Sequence, residues 1–295
     1  MAAANVRRGM RVRALLCIAG LALAGCELVN ETVLFPVDGI HHELAVSMSG
    51  DVAWLARESG EVVAHEVDTG NVLGQVGPWS GSNNVRHVYK AYDTGFEDDV
   101  WVLHSSGWRT RWNPSGSFSA FEAPVPASEF PADSRTYCQL ARDLDGASYI
   151  TTLDRVDDVV TVYLYRHQGG QWSRTVAGAA GCGHMDYDVA MDEVAFLDYV
   201  PGEPHPIVHW YDADTLELDH EVALVGGSQT NHFVSFNRST ALGTFVFDPQ
   251  GQDVGGATVF GVGGVDVYYG DNKVQLWWQG AVVPGEPVVG RHDLQ

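Results

Sequence analysis

The sequence has little positive charge. Its 295 residues include 17 lysines and arginines against 38 aspartates and glutamates, and only Lys90 and Lys273 are lysines. An acidic surface repels phosphates and anionic lipid headgroups, so we expect no nucleic-acid partner and no membrane contact through a basic patch. Cations and basic partners are compatible with this charge, which can also serve only to keep an exposed protein soluble.

Long apolar runs are also missing. The run at residues 14–24 has eleven residues, whereas a transmembrane helix needs about 20. It follows four arginines at positions 7–13, and small residues lead from it into Cys26. A basic segment, a short apolar segment and small residues are typical of a secretory signal peptide. The stretch Leu23-Ala24-Gly25-Cys26 resembles the lipobox of bacterial lipoproteins.

This resemblance implies that Cys26 carries a membrane anchor. The cysteine of a lipobox receives a diacylglycerol and becomes the first residue after cleavage, and several acyl chains give stable attachment. The next residue is Glu27, not the aspartate associated with retention in the inner membrane. The resemblance therefore favours an exported protein, tethered to the bacterial envelope at the outer membrane through lipid alone. The alternative is a plain signal peptide with an incidental cysteine.

Cysteine is scarce in the rest of the chain. Cys17 belongs to the predicted signal peptide and Cys26 to the anchor, which leaves only Cys138 and Cys182. An even pair in an oxidising compartment predicts a disulfide. The stretch Cys182-Gly183-His184 keeps an alternative open, in which both thiolates bind a metal together with His184.

Standard catalytic motifs are absent from the sequence. It contains no G-x-S-x-G, no H-E-x-x-H, no P-loop and no dinucleotide-binding fingerprint. Because no motif supplies a nucleophile or a fixed acid–base pair, the sequence favours a binding or scaffolding module over an enzyme.

The sequence is rich in short strand patterns separated by turn residues. Residues 44–76 predict four strands, at 44–48, 52–57, 61–66 and 71–76, with Gly or Asp in each turn. Four antiparallel strands in about 40–45 residues form one blade of a β-propeller. The first turn recurs at positions 50, 98, 146, 192 and 238, with spacings of 48, 48, 46 and 46 residues, so the unit repeats.

Two stretches carry a family resemblance. GEVVAHEVDTGNVLGQV at 60–76 and YDADTLELDHEVAL at 211–224 resemble the repeats of YVTN-type and quinoprotein-like β-propellers. The resemblance implies the fold but no particular function. Residues 255–280 and a strand at 32–37 are left over, and together they predict a composite blade that closes the ring and removes exposed sheet edges.

We therefore predict an all-β chain. A signal peptide (1–25) and a lipidated tether (26–31) precede a β-propeller of four-stranded antiparallel blades (32–295). Six blades fit the length best, and five or seven are the alternatives.

Histidines stand at the start of the predicted innermost strands, at His42, His87, His184 and His232. Innermost strands line the central channel of a propeller, so these side chains are expected near one channel mouth. Neutral imidazole is a common ligand of transition metals, and the pattern predicts a divalent transition-metal site. In the alternative, each histidine is inherited with the repeat and bonds a neighbouring blade or solvent.

Two further kinds of site follow from the loops. The acidic stretches 97–99, 143–146 and 154–158 suggest weak calcium sites, although turn chemistry also explains them. The connections that lead into the innermost strands supply candidate binding residues: Trp79, Asn83, Asn84, Arg86, Arg135 and Tyr137. We expect a monomer that binds an envelope protein or a small ligand through this loop-rich face. The alternative is a metal-dependent hydrolase or lyase with a histidine-lined channel.

Overall fold

A computed structural model describes residues 31–294, except 40, 42, 179–180, 228–231, 244, 257–259 and 271–272. The predicted anchor Cys26 and the predicted ligand His42 therefore lie outside the described residues. Among the described residues, no helix is long and apolar enough to cross a membrane.

The described residues form six antiparallel sheets of four strands, and the prediction of a six-bladed β-propeller is confirmed. We number the blades I to VI in chain order. Blades I and II are β2 to β5 (Glu43–Val46, Val52–Ala56, Val62–Glu66, Val72–Val76) and β6 to β9 (Val85–Lys90, Val100–His104, Arg109–Trp112, Phe118–Glu122). Blades III and IV are β10 to β13 (Ser134–Arg142, Ser148–Val156, Val159–Gln168, Gln171–Gly178) and β14 to β17 (His184–Asp188, Glu193–Asp198, Ile207–Asp212, Leu218–Ala223).

Blade V is β18 to β21 (Phe233–Phe236, Ser239–Leu242, Phe245–Phe247, Asp253–Gly256). Blade VI is composite, as predicted: β22 to β24 (Phe260–Gly270, Lys273–Val283, Glu286–Leu294) are completed by β1 (Glu31–Pro36), which pairs antiparallel with β24. This pairing closes the ring, because the outer edge of blade VI is covered by the strand that precedes blade I.

The turns between the first and second strands explain the sequence period. Gly50, Gly146, Asp192 and Arg238 all have positive φ at the predicted repeat positions. Blade II differs, because there Gly95 takes the positive φ and Asp98 accepts a hydrogen bond from Ser49 of blade I. A residue in this conformation reverses the chain tightly enough to bring the second strand back along the first.

The first strand of each blade lines the central channel, and these inner strands contact one another around the ring. We call the face where the inner strands begin the mouth face, and the face where they end the turn face. The core lies between the blades, where Trp54, Trp101, Trp210 and Trp277 are buried against apolar residues of the next blade.

Candidate functional site

The channel mouth brings together polar side chains from five blades. Glu43, His87, Gln139, His184 and His232 line one cavity of about 20 Å³. His87 and His232 are buried and His184 is half-buried. Three of the four histidines that the sequence places at the channel mouth therefore line the same cavity, and the fourth, His42, lies outside the described residues.

His87 connects three blades. Its Nδ1 accepts a hydrogen bond from the backbone N–H of Leu140 on blade III, at 3.3 Å. Its Nε2 lies 3.4 Å from Oε2 of Glu43 on blade I. An acceptor at Nδ1 assigns the proton of the neutral ring to Nε2, which then points this N–H at the carboxyl group. A metal at Nε2 would have to displace that proton, so the contacts of His87 suit a bridge between blades.

The donor atoms at the mouth are not gathered in the way that three or more ligands of one ion would be. The rings of His184 and His232 are neighbours, with centroids 6.3 Å apart. Ligand atoms around one zinc ion lie about 2.0–2.1 Å from it, and hence about 4 Å or less from one another. Among the described residues, no three donor atoms of the mouth meet within 4.8 Å. The four-histidine metal site stays a prediction.

Burial sets the protonation states at the mouth. Burial first, and then the neighbouring His184 and His232, lower the pKa of His87 to about 3. Burial also lowers the pKa of His184 to about 4 and raises the pKa of Glu43 well above its usual range. The mouth is therefore a water-poor site with neutral imidazoles, where the charged form of the carboxyl group is disfavoured.

A second polar group lies deeper in the channel, and the sequence reasoning missed it. Lys90 donates to Asp266 and to the carbonyl of Val267, while Asp186 accepts from the hydroxyl of Tyr89 at 2.7 Å. Burial raises the pKa of Asp186 to about 7, against the opposite effect of Lys90. One signal in the sequence could have indicated this group, because Lys90 is one of only two lysines and lies in a predicted channel-lining strand.

These aspartates also join the blades. Oδ2 of Asp186 accepts the N–H of Ser235 on blade V at 2.8 Å, and Oδ2 of Asp266 accepts the N–H of Val46 on blade I at 2.6 Å. His87 makes the corresponding contact from blade II to blade III. Inner-strand side chains thus satisfy backbone donors of the next blade, which gives part of the channel's polarity a structural role.

The disulfide prediction is confirmed. Cys138 on β10 and Cys182, two residues before β14, are bonded with their Cα atoms 5.5 Å apart. The bond joins blades III and IV at the mouth face, next to His184. While it is intact, neither sulfur is a thiolate, so the alternative of a metal bound by both cysteines does not apply to this form.

The candidate binding loops fall into two groups. Asn83, Asn84 and Arg86 are exposed on the mouth face, where a short 3₁₀ turn at Gly81–Asn83 leads into β6. Their backbone is held by blade II, because the carbonyl of Asn83 accepts from His104 and that of Asn84 accepts from Ser105. Oδ1 of Asn83 also accepts from Ser106 and Nε of Arg86 donates to Ser105, so the exposed polar groups are held in place, which suits recognition.

The other loop candidates are engaged in packing. Trp79 is half-buried, with its ring 5.0 Å from His104 and 5.7 Å from Trp112. Arg135 is paired with Asp154 and donates to the carbonyls of the loop before β10. Tyr137 is buried, and its ring fills the space beside Gly107. These contacts fix the loops in place.

Turn chemistry accounts for the acidic loops. Oδ1 of Asp143 accepts the N–H groups of Asp145 and Ala147, and Oδ2 accepts the hydroxyl of Tyr149. Asp154 is committed to Arg135. These contacts explain Asp143 and Asp154 without a calcium ion, and the calcium sites stay predictions.

Comparison with known proteins shows the fold. No protein-family model matches the chain, and no curated protein matches it in sequence. Among solved structures, regucalcin from Agrobacterium tumefaciens, described as a calcium-binding protein, is 12% identical with a TM-score of 0.60, over 88% of this chain and 93% of that one. A chain of the mitotic checkpoint complex is 14% identical with a TM-score of 0.53, over 92% and 85%. At such low identity these likenesses show that the chain shares the β-propeller fold, and they show no more than that.

Proposed function

We propose that this chain is an exported, lipid-anchored β-propeller that acts as a non-enzymatic binding module through its mouth face. The observation that carries the proposal is the size of the mouth cavity. A space of about 20 Å³ holds one water molecule or ion, whereas pockets for organic ligands occupy about 300–1,000 Å³. A partner of the mouth face that is larger than this would therefore bind over the rim, where Asn83, Asn84 and Arg86 are exposed.

The chain topology supports a mouth face that points away from the membrane. The chain leaves β1 at Pro36 and enters β2 at Glu43 on the mouth face, so β1 begins at Glu31 on the turn face. Five residue steps from Cys26 to Glu31 reach at most about 17 Å. A lipid on Cys26 would thus hold the turn-face end of blade VI near the membrane, and the mouth would open at the opposite end of the channel.

The anchor is tested by fractionation. Replacing Cys26 with Ala removes the thiol that accepts the lipid, so we expect the variant to leave the membrane fraction. A matched Cys17→Ala variant keeps the lipobox and should stay membrane-bound. A Cys26→Ala protein that still pellets with membranes after a salt wash would contradict the anchor.

The binding face is tested by a matched pair of triple variants. N83A/N84A/R86A removes three exposed polar side chains from the mouth face, and D68A/D145A/Q250A removes three from the turn face. Gentle detergent extracts are run on native gels. We expect wild-type protein and the turn-face variant to migrate in a complex larger than the single processed chain, and the mouth-face variant to migrate as the free chain. Equal migration of the two variants contradicts the assignment.

A second candidate function rests on the charge inside the channel. The buried Asp186 and Asp266 and the half-buried Glu43 line the cavity, and Lys90 pairs with Asp266. A divalent cation would stabilise the ionised forms of these carboxyl groups, which burial disfavours, and a metal-dependent hydrolase or lyase could be built on it. Zinc titration of wild type and H184Q separates the candidates. If the metal binds in the channel, H184Q must weaken zinc binding. Protons would then compete with zinc at Glu43, because the pKa values of His87 and His184 are already low.

A further inference from the structure

Blade IV carries a cluster of metal-binding side chains towards the turn face, away from the channel mouth. Glu193 begins β15, and Asp219 and His220 lie on β17 of the same sheet. One donor atom from each residue lies within 4.8 Å of the other two, the only such group among the described residues. Nδ1 of His220 is 2.9 Å from Oδ2 of Asp219, and the His220 ring stacks on Trp210 with centroids 4.5 Å apart.

Glu193 provides an independent sign that the cluster receives a ligand. Its side chain is only 7% exposed, and its Oε1 accepts a hydrogen bond from Arg238 of blade V at 2.9 Å. Its Oε2 is buried and has no hydrogen-bond donor among the described residues. A buried carboxylate oxygen without a donor is costly, and a bound cation would satisfy it.

We propose that Glu193, Asp219 and His220 bind a divalent transition-metal ion at the outer part of blade IV. Two carboxylate oxygens and one imidazole nitrogen suit zinc, and water would complete a tetrahedral site. Nδ1 is the nitrogen of His220 that faces Asp219, so Nδ1 would bind the ion and the ring proton would lie on Nε2. The ion would tie β15 to β17 across β16.

Arg238 is the competitor of the metal. Its Nη2 lies 2.9 Å from Glu193 and 3.1 Å from Asp219, so it occupies the carboxylates when no ion is bound. The side chain is 37% exposed and can swing into solvent. Because the guanidinium competes with the ion for both carboxylates, removing it should tighten metal binding about tenfold.

The test is zinc titration of the full chain in detergent, followed by calorimetry, with cobalt absorption as a second readout. We expect H220A and D219N to weaken binding at one site at least about tenfold, and R238A to tighten it. D157N/D158N, in an exposed acidic turn, is the matched control and should bind like wild type.

The proposal expects R238A to tighten zinc binding and H220A and D219N to weaken it. A loss of stability alone does not produce changes in both directions, so the test stays decisive if a variant is destabilised. An ion-pair network without a metal role predicts that R238A loses stability and gains no affinity for zinc. Zinc affinity that is unchanged in H220A, or binding of calcium in place of zinc, overturns the proposal. A channel site would respond to H184Q and not to H220A, so the two sites are distinguished.

Discussion

Removing the Cys138–Cys182 disulfide should lower the stability of the propeller by a calculable amount. The bond closes a loop with a sequence separation of 44 residues between the inner strand of blade III and the entry to blade IV. In the loop-entropy model, opening a loop of this size stabilises the unfolded chain by about 4 kcal/mol at 25 °C. For a chain of this length, that corresponds to a melting temperature lower by about 7 °C.

The assay is thermal unfolding of C138S/C182S beside oxidised and reduced wild-type protein, all at one scan rate. Reduced wild type is the matched control, because it lacks the bond but keeps both side chains. We expect it to melt with the double variant, about 7 °C below the oxidised protein. A difference below about 2 °C would refute the argument from loop closure, and two free thiols in the unfolded, unreduced protein, beyond any at residue 26, would refute the bond itself.

Two further predictions concern the buried charges of the channel. D266N leaves the ammonium group of Lys90 buried without its carboxylate and should lower the free energy of unfolding in urea by about 3–5 kcal/mol. The double variant D266N/K90M should recover most of this loss. Equal destabilisation of both variants would contradict the prediction. Asp186 has a folded pKa raised to about 7, above its unfolded value of about 3.9, so its contribution to stability is fully present below pH 4 and is lost as the pH rises to about 7. The free energy of unfolding should fall by up to about 1.4 kcal/mol per pH unit in that window, and D186N should flatten the profile.

The fold was predictable because its signals are local. Turn residues such as Gly50 and Gly146 reverse the chain at a fixed period, and alternating apolar residues pack the blades against each other. The composite blade followed from a general requirement, since leftover strands at the two ends of the chain must cover each other's edges. The predicted strands at 44–48 and 61–66 differ from β2 and β4 by one or two residues at their ends.

The candidate site was predictable only in part. The start of an inner strand places His87, His184 and His232 at the channel mouth, and this follows from topology alone. The bond from Leu140 to His87 depends on how two blades meet, and no local pattern encodes it. The cluster of Glu193 and Asp219 is harder still, because its members lie on strands that are not neighbours in their sheet.

Site-specific photo-crosslinking in living cells tests the central proposal, binding through the mouth face, most directly. A photoreactive residue replaces Asn84 or Arg86 on the mouth face, or Asp145 or Gln250 on the turn face, all of which are exposed positions. The account predicts discrete protein adducts from the two mouth-face positions and none from the turn-face positions. Adducts from the turn face alone, or equal yields from both faces, would contradict it.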